Sequence, residues 1–226
     1  MGESERLRSA DSPLVLRFKL QGATSARDAN GLQLHERPMG PAIRVGVTLI
    51  SLAGLAHADL DLTARLEQYD LDGVKRQQLV FADGDRRVSY TPPKNWEYSG
   101  AGSRFVLHPA SQSGAEAVIT VTKLPTAEVF DQTTTKRLSD EALASVSRDA
   151  TNVTLVSQQL NPLLIERKET FLVVISYDYY SQPYQRSEMF LNRNNEQVCF
   201  QLTCYRNAFR ELQKAFESSH YSWQNL

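Results

Sequence analysis

The second half of the chain consists of β-type segments joined by very short connections. Strands are predicted at 152–160, 163–168, 170–181, 184–192 and 197–204. A parallel crossover needs a dozen or more residues, so connections this short favour antiparallel pairing. The segment Arg193–Glu196 is predicted as the hairpin loop between the last two strands. The sequence therefore predicts an antiparallel meander.

Further strands precede the meander, and two helices accompany it. A hairpin is predicted with strands at 75–81 and 86–90, because Asp83-Gly84 supplies the positive φ of a tight turn. Strands are also predicted at 104–108 and 115–124, with Trp96 as an anchor after two prolines. One helix is expected at 138–149, with Ser139 or Asp140 as its N-cap, and one at 207–219.

A secretory signal peptide is predicted inside the chain, at Met39–Ala58. A methionine and Arg44 precede an uncharged apolar run, and a small-x-small pattern ends at Ala58. We expect translation to begin at Met39, cleavage to follow Ala58, and the mature protein to be periplasmic or secreted. The apolar run is shorter than the roughly 20 residues of a membrane helix. We expect no transmembrane span after cleavage.

This interpretation divides the chain into four parts. Residues 1–38 become an upstream segment, spurious or disordered, and 39–58 the signal. Residues 59–73 form an N-terminal arm, either a short helix or an extended segment, and 74–226 a single α+β domain. Loss of the first 58 residues removes seven of 25 Lys and Arg and five of 26 Asp and Glu, which leaves a formal charge of −3. No basic field remains for a phosphate backbone, so nucleic acid is not expected as a partner.

Both cysteines lie in one predicted strand, at Cys199 and Cys204. Their spacing puts them roughly 16 Å apart and on opposite faces, so a disulfide is not expected if the strand continues through Cys204. After cleavage, His108 and His220 are the remaining histidines. We interpret His108 as a surface residue and His220 as an imidazolium that interacts with the end of the last helix. Neither a catalytic constellation, a metal site nor a cofactor is predicted.

A tyrosine-rich turn is the strongest candidate for a binding site. Four of the nine tyrosines lie between Tyr177 and Tyr184, where two strands meet. Alternation places Phe171, Val173, Ile175, Tyr177 and Tyr179 on one face. Core packing and cross-strand pairing explain Tyr177 and Tyr179, and an exposed aromatic patch is the alternative. The candidate binding residues are Tyr179, Tyr180, Tyr184 and Arg186.

Several segments resemble the PsbP-like group, which includes small bacterial envelope proteins and shares its fold with a Ran-binding nuclear transport factor. They are Val88–Trp96 with its Pro-x-x-Trp turn, Ala117–Pro125 and Phe200–Ser219. In the last, Phe209, Leu212 and Phe216 follow the group's Phe-x-x-Leu-x-x-x-Phe helix pattern. The resemblance implies an α+β fold in which an antiparallel sheet of about six to seven strands lies between helices, an α/β/α sandwich. It also implies a protein that binds or assists.

The sequence supports two hypotheses about function. The first is an exported, non-catalytic binding or accessory protein of the bacterial envelope, with a protein or small ligand as its partner. The second is a secreted hydrolase-type enzyme that uses separated carboxylates, such as Asp178 and Glu188 facing each other across a hairpin. A deep pocket lined by charged residues would favour the enzyme, and a solid core with an aromatic surface would favour binding.

Overall fold

The structure is a computed structural model that describes residues 60–110 and 112–226. The upstream segment and the predicted signal lie outside these residues. The strands are β1 (Leu60–Leu71), β2 (Val74–Asp83), β3 (Arg86–Tyr90), β4 (Trp96–Ala101), β5 (Arg104–Pro109), β6 (Glu116–Lys123), β7 (Thr151–Leu160), β8 (Thr170–Tyr179), β9 (Gln182–Arg193), β10 (Glu196–Tyr205) and β11 (Gln224–Asn225). The helices are α1 (Gln132–Ala144) and α2 (Arg206–His220).

The strands form two antiparallel sheets. The order is β1-β2-β3-β11 in the four-stranded sheet and β4-β5-β6-β10-β9-β8-β7 in the seven-stranded sheet. The predicted meander is confirmed over β8, β9 and β10, which are sequence neighbours and pair side by side. The predicted hairpin is confirmed too, because β2 pairs with β3 around Gly84 at φ +62°.

Alternation along β10 divides the structure into layers. Val198, Phe200, Leu202 and Cys204 point to a core shared with α2 and the four-stranded sheet. Cys199 points to the opposite face, where α1 covers part of the sheet. The predicted α+β class, an antiparallel sheet flanked by helices, is confirmed. The seven-stranded sheet agrees with the expected six to seven strands, and the four-stranded sheet was not expected.

An aromatic cluster occupies the core between the two sheets. The buried Trp223 ring lies 5.7 Å from Phe81, 5.9 Å from Tyr90 and 5.1 Å from Phe200, between ring centroids. The contacts with Tyr90 and Phe200 are edge-on, and such pairs add about 0.5–1.5 kcal/mol each to area burial. Trp96 stacks on Phe216 of α2 at 5.9 Å, in agreement with its expected role as an anchor.

The predicted start of α1 is wrong. The helix begins at Gln132, and Asp131 caps it by accepting a hydrogen bond of 2.7 Å from the backbone N–H of Thr134. Of the two expected caps, Ser139 is buried and donates to the carbonyl of Thr135, and Asp140 pairs with Lys136 inside the helix. The first turn contains three consecutive threonines. Because β-branched residues favour strands, the sequence did not predict a helix there. The helix also ends at Ala144, before the predicted end.

One other expectation for the backbone needs correction. Residues 163–168 do not form a strand, because Glu166 and Arg167 adopt φ of +53° and +62° and close a turn bridged by Ile165 and Lys168.

The N-terminal arm 59–73, expected as either a short helix or an extended segment, is extended. It contains β1, whose Leu60 and Leu62 are buried in the main core. β1 is therefore packed with the segment from residue 74 onwards.

The cysteines follow the geometry expected of one strand. β10 continues through Tyr205, Cys199 and Cys204 point to opposite faces, and both thiols are free. Burial raises the pKa of Cys199 well above its ordinary value, and the nearby Glu188 raises it further. Burial also raises the pKa of Cys204, to about 11. Both side chains are therefore protonated thiols and poor nucleophiles at neutral pH.

The expected role of His220 is wrong. Its side chain is 2% exposed and lies 4.5 Å from the rings of both Phe200 and Phe216. Neither ring nitrogen has a hydrogen-bond partner among the described residues. Burial lowers the pKa of His220 to about 3, so the imidazole is neutral and no charge meets the helix end.

We predict that His220 makes folding stability pH-dependent. Between pH 6.5 and about 3 the unfolded chain binds a proton that the folded chain excludes, so stability falls as pH falls through this window. At most about 1.4 kcal/mol per pH unit depends on this residue. Urea unfolding from pH 7 to 5 should show a steeper loss for the wild type than for His220→Leu. His108→Leu, at an exposed site, should keep the wild-type slope; equal slopes in all three would contradict this assignment.

A buried ionic cluster connects the two sheets through Arg193 of β9. Its Nη2 lies 2.9 Å from Oδ2 of Asp83 in β2 and 3.0 Å from Oδ1 of Asn225 in β11. Its Nε lies 3.3 Å from Oε2 of Glu166. The side chains of Arg193 and Glu166 are 7% and 4% exposed. The two carboxylates thus depend on one guanidinium for compensation of their charge.

Removal of this guanidinium should be costly. Arg193→Met leaves the buried Glu166 carboxylate unpaired, and we expect a loss of about 3–5 kcal/mol in the free energy of unfolding. Glu166→Gln in the same chain should recover part of that loss. Chemical denaturation measures both effects, with Arg210→Met on the exposed side of α2 as the control. A change below about 1 kcal/mol would refute a bridging role.

Candidate functional site

The tip of the β8–β9 hairpin has an unusual turn. Tyr179 pairs with Gln182, so Tyr180 and Ser181 form a two-residue connection. Their φ angles are +48° and +61°, the left-handed region that a type I′ turn requires at both positions. Asn-Gly is the usual sequence there, and a bulky side chain with positive φ is strained. This turn thus keeps a large aromatic ring at a conformational cost.

Five tyrosines form a continuous cluster at this end of the seven-stranded sheet. Tyr177, Tyr184 and Tyr205 are cross-strand neighbours on β8, β9 and β10. The rings of Tyr177 and Tyr184 stack at 5.7 Å with 9° between their planes, and Tyr205 lies 4.8 Å from Tyr184. Tyr179 contacts Tyr184 at 6.4 Å and Tyr180 at 4.5 Å. We call these five residues the tyrosine cluster.

The tyrosine cluster runs from the core to solvent. Tyr177 is buried, Tyr179 and Tyr184 are half-buried, and Tyr180 is 77% exposed. The adjacent Tyr205 hydroxyl and partial burial raise the pKa of Tyr184 to about 12. Its hydroxyl therefore stays protonated at any physiological pH. The cluster thus exposes the Tyr180 ring to solvent and packs the other four rings below it.

Arg186 lies beneath the cluster. Its guanidinium carbon is 5.7 Å from the centroid of the Tyr177 ring. Its Nε donates to Oγ1 of Thr203 at 3.2 Å and its Nη1 to Oγ of Ser145 at 2.9 Å. The side chain is 13% exposed. Arg186 thus connects α1 with the sheet and supports the rings, whereas the sequence grouped it with the contact residues.

The carboxylate pair proposed for an enzyme does not converge. Glu188 lies on the α1 side of the sheet, 3.5 Å from Arg186. Asp178 points to the opposite side, where it accepts from Asn152 at 2.7 Å and lies 3.6 Å from Arg206. Burial raises the pKa of Glu188, although Arg186 opposes the shift. With the sheet between them, these carboxylates cannot act on one bond.

Sequence reasoning missed Tyr205 and Gly114. Tyr205 was placed beyond the last strand, but β10 extends to it and its ring joins the cluster. Gly114 has φ +91°, and a Cβ there would lie 2.9 Å from the Tyr205 ring. Extending the alternation of β10 by one residue would have identified Tyr205. Nothing local indicates the close approach of Gly114, because that contact is long-range.

The other surface features of the described residues offer fewer groups for binding or catalysis. An open depression of about 600 Å³ lies on α1, away from the tyrosine cluster. Its charges are paired along the helix, Lys136 with Asp140 at 2.6 Å and Arg137 with Glu141 at 2.9 Å. Within residues 60–110 and 112–226, no three potential metal ligands converge. Neither helix in that part of the chain is long and apolar enough to span a membrane.

Comparison with known proteins finds similarity in fold. No protein-family model and no curated protein matches the chain. Among solved structures, the chain is similar to the cyanobacterial PsbP (CyanoP) of Synechocystis sp. PCC 6803, with 12% identity, a TM-score of 0.45, and coverage of 78% of this chain and 98% of that one. It is also similar to PA94 of Pseudomonas aeruginosa, a protein of unknown function, with 13% identity, a TM-score of 0.40, and coverage of 70% and 94%. The former belongs to the group that the sequence resembles, and both likenesses concern the fold alone.

The strain in the hairpin turn leads to a stability prediction. Tyr180→Asn with Ser181→Gly places the preferred type I′ sequence at these positions, and we expect a gain of about 1 kcal/mol in the free energy of unfolding. Tyr180→Ala alone keeps the unfavourable φ and should give no gain. Urea unfolding of both variants beside the wild type measures the difference. A double variant less stable than the wild type would mean that ring packing outweighs the strain.

Proposed function

We propose that the chain is an exported, non-catalytic binding protein of the bacterial envelope, with its partner site at the tyrosine cluster. The observation that carries the proposal is Tyr180, which is 77% exposed on a strained turn above four packed rings. A stable turn would have small residues there. Retention of a large exposed ring at such a position suggests use of the ring itself.

The geometry of the cluster suits recognition of a partner surface. Tyrosine offers a large apolar face and a polar hydroxyl with few rotatable bonds, so little entropy is lost when it is covered. Packing beneath Tyr180 restrains its neighbours before binding, which lowers the ordering cost further. Arg206 and Asp178 lie near this end of β8 but on the opposite face of the sheet, so the hydrogen-bonding groups of the site are the tyrosine hydroxyls. The site therefore suits a protein or flat ligand with apolar and hydrogen-bonding groups.

The proposed export is compatible with the described domain. Cleavage after Ala58 would leave all eleven described strands in the mature chain, because β1 begins at Leu60. The raised pKa values of both thiols also suit an oxidising compartment, since protonated cysteines react slowly. N-terminal sequencing of the exported product tests the route. A first residue of Asp59 would support it, and retention in the cytosol would refute it.

Tyr180→Ala should weaken binding without unfolding the protein. Loss of an exposed aromatic anchor costs about 2 kcal/mol at an interface, or roughly a thirtyfold loss of affinity. The measurement is quantitative co-purification from the envelope fraction, with the partner identified by mass spectrometry and its affinity then determined in solution. The Asn-Gly double variant should also bind poorly despite its greater stability. A variant that is more stable but binds poorly would show that binding is lost with the Tyr180 ring and not through unfolding.

The control is Tyr221→Ala. Tyr221 is 67% exposed and lies just after α2, outside the tyrosine cluster. It should retain wild-type binding. Equal binding by the wild type, Tyr180→Ala and Tyr221→Ala would reject the tyrosine cluster as the partner site and leave the export proposal to its own test.

A further inference from the structure

The strand β7 is an exposed edge that lacks charged residues and proline. Its sequence, Thr-Asn-Val-Thr-Leu-Val-Ser-Gln-Gln-Leu, has no charged residue and no proline, and all ten residues are exposed. The exposed large apolar side chains are Val153, Leu155, Val156 and Leu160. Edge strands of monomers usually carry lysine or proline or lie beneath another segment, because free N–H and C=O groups recruit further strands.

The other described edges are covered, charged or short. The end strands β1 and β4 meet near Leu62, whose N–H donates to the carbonyl of Gly102 beside β4 at 2.6 Å. Beyond this contact β1 carries Arg65, Glu67 and Asp70. The edge strand β11 contains two residues. Within the described residues, β7 pairs with β8 alone. It is thus the long uncharged open edge of this part of the chain.

Two irregularities limit where another strand can add to β7. The register with β8 shifts between Thr151 and Thr154 and again between Leu155 and Ser157. Such bulges bend a strand and interrupt its outward pairing groups. From Ser157 to Leu160 the register is regular, opposite Phe171–Val174. Added pairing is therefore expected over a short segment at the C-terminal end of β7.

We propose that β7 pairs with β7 of a second copy of this chain, antiparallel about a twofold axis, so that one sheet continues through both copies. An uncharged strand can lie opposite itself without like-charge repulsion, which a strand rich in lysine cannot do. The formal charge is −1 for the whole chain and −3 after the proposed cleavage, so long-range repulsion between copies is weak in either form. Twofold pairing also occupies the open edge of each copy and ends the assembly at a dimer.

The chemistry of the strand indicates how the dimer is stabilised. Backbone hydrogen bonds form across the axis, and Ser157, Gln158 and Gln159 supply uncharged side chains that can bond to their counterparts. The contact is short, so the dimer should dissociate on dilution, with a dissociation constant in the micromolar range. This association does not involve Tyr180, so the proposed function does not depend on it.

Sedimentation velocity of the purified protein tests the pairing over a concentration series up to about 100 μM. The wild type should shift from monomer to dimer. Gln159→Lys puts a charge inside the proposed contact segment and should weaken the dimer at least tenfold. The control is Val129→Lys, because Val129 is 71% exposed in the connection before α1 and should not change association. A wild type that stays monomeric, or a dimer insensitive to Gln159→Lys, would overturn the proposal.

Hydrogen exchange gives a second measurement on the unaltered protein, so the test does not depend on a variant that folds. Backbone amides of 157–160 should exchange more slowly at high than at low protein concentration. A synthetic peptide with the sequence Thr151–Leu160 should compete with the second copy and shift the protein towards monomer. Protection at another edge, with 157–160 unchanged, would place the contact elsewhere and reject β7 as the interface.

Discussion

The shared aromatic core is the constraint on which the rest of the fold depends. Trp223 follows α2, yet its ring lies between Phe81 and Tyr90 of the small sheet and Phe200 of the large one. Neither sheet could bury its inner face alone, because a single antiparallel sheet needs a covering layer. The same packing excludes water from His220 and sets its low pKa. The ion pair of Arg193 with Asp83 and its hydrogen bond to Asn225 cross the same interface.

The two faces of the seven-stranded sheet have different compositions, and this difference places the candidate site. The face towards α2 is apolar along β10, whereas the other face contains Arg186, Glu188 and Cys199 as well as tyrosines. α1 packs mainly over β7 and β8, so the tyrosine cluster lies at the end of the sheet where its cover finishes. At this end of the sheet a polar side chain can hold the tyrosine rings in place, as Arg186 does through its hydrogen bond to Ser145. On the proposed function, the exposed Tyr180 would contact the partner, and the buried rings and Arg186 would hold it in position.

Local patterns predicted much of the fold, and long-range contacts account for what was missed. Asp83-Gly84 specified a turn, and the apolar stripe of α2 specified a helix, because both signals lie within a few residues. The start of α1 was missed because Asp131 acts as a cap only once the threonine run is known to be helical. The sequence placed four tyrosines together but could not show that Arg186 lies beneath them. The burial of His220 likewise depends on Phe200, which is distant in sequence.

The position of β1 has a consequence for the order of events during biogenesis. Leu60 and Leu62 are buried in the main core, and β1 pairs with β2 from its first residue. A peptidase that acts after Ala58 needs the neighbouring residues extended in its cleft. On the proposed export route, cleavage must therefore come before β1 docks, and the precursor reaches the membrane with its first strand unpaired. Maturation of this protein would then be the step that permits folding to finish.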